Sequence, residues 1–288
     1  MQTNVGMLIR ARGGFFDVHT NDGVLRCRAR GKIHLDGLEP LPGDHVCWRI
    51  DPAHPESGIV ESIAARKNRF IRPNVANVDK FVFVASCARP KTDPFLIDRM
   101  SVVSVSTDCE FVLCINKIDL EYDSSIYDLY KNCGFQVICT SAKSGEGIEE
   151  LRHCIQDSVS VLSGNSGVGK SSLLNLLIPG LNLETADISA KHGRGRHTTR
   201  HAEFYALPDG GWIADTPGFA ALEISQILDM KPKDLAHCFP EFPQGHCRFP
   251  DCLHNREPDC FVRYSVERNM IASSRYQSYL RLLEDCKD

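Results

Sequence analysis

The sequence predicts a multidomain α/β fold with a β-barrel at the N-terminus, a P-loop domain in the middle and a helical, metal-binding segment at the C-terminus. Three observations predict it. Short polar–apolar runs separated by turns fill residues 1–72, a strand, a glycine-rich loop and a helix follow one another at 158–178, and a Cys/His cluster occupies 247–260. The chain of 288 residues is long enough for two or three domains.

Composition and charge exclude several classes of protein. Hydrophobic residues make up 42% and charged residues 24%, which is typical of a soluble protein with real cores. No apolar run reaches the length of a membrane span and no signal peptide opens the chain, so we expect a cytoplasmic protein. The net charge of −4 argues against a uniformly basic nucleic-acid binder. The chain has thirteen cysteines, several of them inside apolar runs. An odd number placed in this way does not suggest a disulfide framework.

Residues 1–72 are predicted to form a small antiparallel barrel of the OB type. Turn signals at Gly13-Gly14, Asn21-Asp22-Gly23 and Pro42-Gly43-Asp44 separate short runs of alternating polarity. Such spacing favours strands joined by tight turns over helices. The region carries eleven Lys/Arg against eight Asp/Glu, and is therefore basic within an acidic chain.

One predicted strand of this barrel carries a basic face. The cations fall at every second position, at Arg26, Arg28, Arg30 and Lys32, while Cys27 and Ala29 point to the core. A second group should extend the basic surface: Arg66, Lys67, Arg69 and Arg72. Such a face suits an RNA backbone, which attracts cations whatever the base sequence. The alternative is an ordinary solvated strand face.

The motif at 164–171 reads G-x-x-x-x-G-K-S, a phosphate-binding P-loop between a predicted strand at 158–162 and a predicted helix at 171–178. Backbone N–H groups and the helix dipole of such a loop bind phosphates. We expect Lys170 to reach the β- and γ-phosphates and the Ser171 hydroxyl to bind Mg²⁺. The alternative is a chance glycine-rich turn. The full set of predicted nucleotide contacts here is Gly164, Asn165, Ser166, Gly167, Val168, Gly169, Lys170, Ser171 and Ser172.

Two further motifs follow predicted strands at 111–115 and 135–140. The first is N-K-x-D, with Asn116, Lys117 and Asp119, and the second is S-A-K, with Ser141, Ala142 and Lys143. The Asp119 carboxylate can accept hydrogen bonds from guanine N1–H and the 2-amino group, which adenine lacks, and an unpaired buried carboxylate penalises the wrong base. By itself N-K-x-D is a weak signal. Asn116 would hold the other edge of the base.

The magnesium side of the site is predicted from residues 191–218. D-x-x-G supplies Asp215 for Mg²⁺ and Gly218 for the γ-phosphate. The basic, glycine-rich loop 191–200 is the natural switch, in which Thr199 is favoured over Thr198 as the Mg²⁺ ligand. Phe219 occupies the position at which many GTPases orient water with glutamine, so His197 is the candidate for that role. The alternative is that His197 contacts RNA or solvent.

All four nucleotide motifs are present, which indicates GTP binding, but their order is unusual. N-K-x-D and S-A-K precede the P-loop instead of following D-x-x-G. A sheet needs strands that are adjacent in space, so a circular permutation preserves the site. D-x-x-G then leads directly into the next domain, and we hypothesise that hydrolysis reorients the C-terminal domain through this junction. The predicted permuted domain covers 73–224, with further elements at 80–86, 95–106 and 145–153.

Residues 225–288 are predicted to be a zinc-binding domain. Cys247, Cys252, His254 and Cys260 form a complete Cys₃His set for structural Zn²⁺. The surrounding run has much Pro and charge, so a metal would supply the missing stability; the alternative is a loop of reduced cysteines. Lower-ranked spare ligands are Cys238 and His246. A helix is expected from Ser265, with one stripe at Val266, Met270, Tyr276, Tyr279, Leu280 and Leu283, packed on its own domain.

Taken together, these features resemble one family over essentially the whole chain, the ribosome small-subunit-dependent GTPases called RsgA or YjeQ/YloQ. The resemblance rests on the order N-K-I-D, S-A-K, G-N-S-G-V-G-K-S, D-T-P-G, on the G-R-G-R-H-T-T switch, on the basic barrel and on C-x4-C-x-H-x5-C. It implies an OB-fold domain (1–72), a circularly permuted GTPase domain (73–224) and a zinc-binding domain (225–288). It also implies a catalytic role for the switch histidine, His197.

For function, the resemblance implies slow GTP hydrolysis that the small ribosomal subunit stimulates, late in maturation of that subunit. Its expected cofactors are GTP/GDP, Mg²⁺ and one structural Zn²⁺, its partners are the small subunit and its rRNA through both flanking domains, and a monomer is expected. The second hypothesis is an RNA-binding module with structural, slowly hydrolysed GTP, acting on another RNA or on the assembled ribosome.

Overall fold

The computed structural model describes residues 4–29, 39–71, 74–183, 202–215 and 230–286. Several residues singled out by the sequence lie outside these ranges: Arg30, Lys32, Arg72, His197, Thr198, Thr199, Gly218 and Phe219. The described part folds into a barrel, a six-stranded sheet with helices on both faces, and a helical C-terminal unit.

The predicted N-terminal barrel is confirmed. Five strands close in the order β1-β2-β3-β5-β4, with β3 and β5 parallel and the other neighbours antiparallel. Leu8, Val18, Val46, Trp48 and Val60 fill its interior, as the alternation along the strands requires. Their bounds are β1 Asn4–Arg12, β2 Phe15–Thr20, β3 Gly23–Ala29, β4 His45–Asp51 and β5 His54–Ile63.

The basic residues of this region divide into exposed and structural ones. On β3, Arg26 and Arg28 are exposed while Cys27 is buried, which confirms the predicted alternation. Arg66 was expected on the basic surface, and this expectation is wrong. Its guanidinium is bound by the fully buried Asp44, with Nε 2.7 Å from Oδ1, because that carboxylate needs a paired cation.

The central sheet has the order β10-β9-β8-β11-β13-β12, with all pairs parallel except β12 with β13. The predicted strands are confirmed, apart from small differences at their ends. They are uninterrupted apolar runs because both faces of the sheet are covered by packed side chains. A short hairpin of β6 and β7 precedes it. The bounds are β6 Arg69–Phe70, β7 Val75–Ala76, β8 Lys80–Ser86, β9 Glu110–Asn116, β10 Gln136–Thr140, β11 Val159–Gly164, β12 Phe204–Ala206 and β13 Trp212–Asp215.

Four helices cover the two faces of this sheet. On one face lie α1 (Pro94–Ser106) and α2 (Ser124–Asn132), and on the other lie α3 (Ile148–Ile155) and α4 (Lys170–Leu177). The helix expected at 145–153 begins later, at Ile148, because its cap, Gly147, has a left-handed backbone with φ 71°.

The C-terminal unit contains α5 (Pro232–Leu235), a 3₁₀ turn (Ala236–Cys238), α6 (Phe261–Glu267) and α7 (Ser273–Asp285). The single apolar stripe expected from Ser265 is wrong, because two helices stand there. The chain turns at Asn269 (φ 57°), and Met270 is 66% exposed. The helix α7 packs on the core of its own unit, as expected, and this core also includes Val102 of α1.

This unit also has more core than its sequence suggested. The rings of Phe239 and Phe242 are buried and stack with centroids 5.0 Å apart. Tyr279 of α7 meets both rings edge-on. The Pro-rich run therefore contributes aromatic packing beside the Cys/His cluster.

Candidate functional site

The P-loop lies between the end of β11 and the start of α4. Gly164, Gly167 and Gly169 have φ of 143°, 80° and 101°, a region that favours glycine. A Cβ on Gly164 would lie 2.2 Å from the Val84 carbonyl oxygen, so no other residue fits at this point. The side chain of Val168 is buried in the sheet core, which leaves only its backbone for a ligand. The loop thus directs backbone N–H groups toward an anion.

Lys170, the first residue of α4, bends back over the loop. Its Nζ donates to the carbonyl oxygens of Gly164 and Asn165, both at 2.8 Å. Burial lowers the pKa of Lys170, and the nearby Asp215 opposes that shift. The ammonium therefore lies against the loop backbone, within electrostatic reach of Asp215, and the oxygens of a phosphate bound by the loop would meet it there. Ser171 and Ser172 occupy the first turn of α4.

Asn116, at the end of β9, connects the P-loop to the N-K-x-D and S-A-K motifs. Its Nδ2 donates to the Val168 carbonyl oxygen at 2.8 Å. Its Oδ1 accepts from Thr140 Oγ1 at 3.1 Å and from Ala142 N at 3.2 Å. Asn116 is only 1% exposed, so a direct contact between its amide and a base stays a prediction. The three motifs meet in space despite their reversed order in the chain.

The exposed Asp119 lies beside the S-A-K loop. Its Oδ1 accepts a hydrogen bond from Ser141 Oγ at 2.6 Å, and Ser141 Oγ in turn accepts from Ser144 N at 3.1 Å. The hydroxyl thus aims the carboxylate while leaving its other oxygen for a ligand. Ala142 and Lys143 continue this loop away from β10.

Lys117 has a left-handed backbone with φ 67°, and its Nζ donates to the Arg89 carbonyl oxygen at 3.1 Å. This contact places the lysine stem along the loop after β8. Sequence reasoning missed the roles of Arg89, Thr140 and Ser144. Only Thr140 carried a signal, as the last residue of the strand before S-A-K.

The described residues include one part of the predicted magnesium site. Asp215 ends β13, and Ser171 follows Lys170 in the first turn of α4. The other predicted members, His197, Thr198, Thr199 and Gly218, lie outside the described ranges.

The Cys/His cluster has the geometry of a tetrahedral metal site. His254 Nδ1 lies 3.5, 3.4 and 3.4 Å from the sulfurs of Cys247, Cys252 and Cys260. The sulfurs of Cys247 and Cys260 are 4.0 Å apart. Zn–S and Zn–N bonds of about 2.3 and 2.05 Å in a tetrahedron require sulfur–nitrogen edges of roughly 3.6 Å and sulfur–sulfur edges of roughly 3.8 Å. The donor set therefore fits Zn²⁺.

The protein around the cluster holds its ligands in place. His254 N and Phe261 N point at the sulfurs of Cys252 and Cys247, each at 3.4 Å. Tyr276 and Tyr279 of α7 donate to the carbonyl oxygens of His254 (2.8 Å) and Leu253 (2.6 Å). Burial raises the pKa of Cys252 to about 12, so metal binding has to release that proton.

The two spare ligands do not join the cluster. Cys238 is buried 3.8 Å from the Asp234 carbonyl oxygen, and the His246 ring stacks on Phe261.

Across the described ranges, no helix combines the length and apolarity that a membrane crossing requires.

Comparison with known proteins gives concordant results. A family model described as "RsgA GTPase" matches residues 63–225, and one described as "RsgA N-terminal domain" matches residues 5–59. The chain is 42% identical over 293 residues to "Small ribosomal subunit biogenesis GTPase RsgA" of Caldanaerobacter subterraneus subsp. tengcongensis, covering 100% of this chain and 97% of the relative. A protein of the same name from Moorella thermoacetica is 43% identical over 285 residues, with coverage of 97% and 96%.

Two solved structures are similar to the whole chain. One is described as the crystal structure of YjeQ from Thermotoga maritima, with a TM-score of 0.84, 35% identity and coverage of 99% of both chains. The other is described as YloQ, a circularly permuted GTPase, with a TM-score of 0.81, 33% identity and coverage of 100% and 96%.

Proposed function

The chain belongs to the RsgA GTPase family, and on that basis we propose that it binds the small ribosomal subunit and hydrolyses GTP to GDP and phosphate late in the maturation of that subunit. The observation that carries this proposal is the meeting of three motifs at Asn116, whose amide contacts the P-loop at Val168 and the S-A-K loop at Ala142. A factor that acts on ribosomal subunits works in the cytoplasm.

Guanine selectivity is assigned to Asp119. Its carboxylate is exposed and held by Ser141, so it can accept from two guanine donors that adenine lacks. Asp119→Asn replaces an acceptor by a side chain that also donates, so affinity should shift from guanine toward xanthine nucleotides. Competition titrations with GDP, XDP and ADP measure this. Tight GDP binding by the variant would contradict the assignment.

For hydrolysis, we assign Mg²⁺ binding to Ser171, Thr199 and, through water, Asp215, and orientation of the attacking water to His197. Bound Mg²⁺ supplies charge neutralisation at the β- and γ-phosphates. Lys170 holds the same oxygens from the P-loop side. His197→Ala should reduce turnover strongly with nucleotide affinity nearly unchanged, and unchanged turnover would remove His197 from the mechanism.

We assign three domains, with boundaries at 1–72, 73–224 and 225–288, and a monomer. One structural Zn²⁺ in the last domain would be held by the Cys₃His cluster, whose spacing matches a tetrahedral ion. Contacts to rRNA are assigned to both flanking domains. On the barrel they are supported by exposed Arg12 and Arg26, and by Phe15, a 46% exposed ring that the Arg26 guanidinium covers at 4.8 Å.

The central experiment measures GTP turnover with and without purified small subunits, with large subunits as the matched control. Stimulation by small subunits alone is expected. Absence of stimulation would favour the second candidate, an RNA-binding module whose bound GTP is barely hydrolysed. Its motivating observation is the basic surface of the barrel, and salt-dependent binding to free RNA or assembled ribosomes would then identify its target.

A further inference from the structure

Strand β1 belongs to two cores at once. Leu8 points into the barrel, where it packs among Val18 and its neighbours. Met7 and Ile9 point to the opposite side and join the core cluster of the central sheet, which includes Phe204 of β12. Burial on both faces fixes the barrel against the edge of the sheet.

Polar and ring contacts reinforce this junction. Arg10 and Glu203 form a backbone β-bridge, and Arg10 Nη2 lies 3.3 Å from Glu203 Oε1. The rings of His19 on β2 and Trp212 on β13 meet edge-on with centroids 4.7 Å apart. The barrel therefore touches both β12 and β13.

These two strands lead to the magnesium side of the site. Glu203 follows the predicted switch segment closely in sequence, and β13 begins at Trp212 and ends at Asp215. Tyr205 of β12 pairs with Ile213 of β13, two residues before Asp215, and burial together with Glu203 and Asp215 raises the pKa of its hydroxyl. A displacement of β12 by the barrel is therefore felt within the strand pair that carries Asp215.

Arg10 also faces the surface on which we place RNA. It lines a cleft of about 140 Å³ whose other walls are Arg12, Phe15, Asp17 and Arg26. Within this cleft Arg10 Nε donates to Asp17 Oδ2 at 2.9 Å, while its other end reaches Glu203. A guanidinium has five donors, so Arg10 can bind an incoming phosphate and Glu203 together.

We propose that Arg10 is a positioning residue that couples an RNA phosphate bound in this cleft to β12 and β13, and so transmits the stimulation of GTP hydrolysis to the nucleotide site. The proposal rests on the proposed function and adds the route by which bound RNA acts on the nucleotide site. A phosphate draws the guanidinium toward the cleft, and the ion pair to Glu203 passes that displacement to β12. Coupling between two sites requires such an element that both can bias.

The test uses Glu203→Gln in the full-length protein, because this change removes the ion pair and leaves the cleft intact. Three quantities are measured: GTP turnover alone, turnover with saturating small subunits, and affinity for those subunits. We expect basal turnover and affinity to stay within about twofold and the stimulation factor to fall by about fivefold or more. The matched control is Glu61→Gln, which breaks the Arg49–Glu61 pair (2.7 Å) elsewhere on the barrel and should leave stimulation unchanged.

A Glu203→Gln variant that small subunits stimulate as strongly as the wild type would overturn the proposal. A rise of this variant's basal turnover toward the stimulated rate would also overturn it. Equal losses in Glu203→Gln and Glu61→Gln would also overturn it, since they would indicate general loosening of the barrel. Should Glu203→Gln fail to fold, His19→Ala, which removes the ring contact to Trp212, carries the same expectation. An unstimulated wild type is a different result, because it contradicts the proposed function itself.

Discussion

Replacing Arg275 by methionine should destabilise the folded protein by about 3–5 kcal/mol, because removal of one partner leaves buried charges uncompensated. Arg275 lies on α7 and is fully buried, between Asp98 of α1 and Glu241. Its Nη1 is 2.6 Å from Asp98 Oδ1, and its Nε is 2.7 Å from Glu241 Oε1. Tyr130 of α2 donates to the same Asp98 oxygen at 2.7 Å. This buried cluster joins the C-terminal helix to α1 and α2, which cover one face of the central sheet.

The size of the destabilisation expected for Arg275→Met follows from the burial of the charged groups more than from the distances between them. The side chains of Asp98 and Glu241 are 3% and 10% exposed, so water cannot replace the lost cation. Burial by itself lowers the pKa of Arg275, but Asp98 and Glu241 outweigh it and raise that pKa. Arg248 and Asp259 are also paired, at 2.9 Å, but both are 66% exposed, and such surface pairs contribute about 0.2–1 kcal/mol.

Urea unfolding followed by circular dichroism measures both variants. Arg275→Met should remove a large part of a total stability of about 5–15 kcal/mol, whereas Arg248→Met should leave the midpoint nearly unchanged. Similar small shifts in the two variants would refute the reasoning, because burial would then not determine the cost. The cluster also constrains the hypothesised reorientation of the C-terminal domain, which has to carry α1 with it or break the bond to Asp98.

Three further predictions concern the loops, the metal and the barrel. Gly169→Ala should abolish GDP binding in a calorimetric titration, because its Cβ would lie 2.3 Å from Asn116 Nδ2; Gly180→Ala, also at positive φ but in open space, should bind normally, and equal affinities would contradict the steric argument. Removal of metal with a chelator should lower the thermal midpoint of the C-terminal unit and release about one Zn²⁺ per chain by atomic absorption; an unchanged midpoint with no zinc would disprove the site. The pKa of Asp51 lies below 3.8, chiefly because of the hydrogen bond from Arg28. The contribution of this pair to folding stability is therefore complete above pH 3.8 and is lost as the pH falls through the folded-state pKa of Asp51. Asp51→Asn should therefore flatten the acid limb of the stability profile, and an unaltered limb would rule the pair out.

Much of the site could be predicted from local sequence because each motif is a contiguous run with its own chemistry. G-N-S-G-V-G-K-S, N-K-I-D and the Cys₃His spacing each predicted a loop that the structure contains. The barrel turns and the apolar strands of the sheet were equally local, since glycine and proline mark turns and alternation marks a half-buried strand.

Two errors arose, one from a partner that lies far away in the chain and one from a local turn of the backbone. Arg66 resembled a surface cation, yet Asp44, 22 residues earlier, holds it inside. The expected stripe through Met270 ignored the left-handed turn at Asn269, which directs that side chain to solvent. Charge and periodicity carry no information about a distant partner or about a single left-handed residue.

By itself, therefore, the sequence determined which functional groups are present: a P-loop motif, the N-K-x-D and S-A-K motifs, a Cys₃His set that could hold a metal ion, and a barrel with basic residues. Only the tertiary structure decided how they are joined. Asn116 meets Val168 across 52 residues, and Arg275 meets Asp98 across 177. Arg10 of the barrel reaches Glu203 at the edge of the sheet. The physical reason is that these contacts depend on how strands are ordered and packed, and a permuted chain can satisfy the same packing with its segments in a different order.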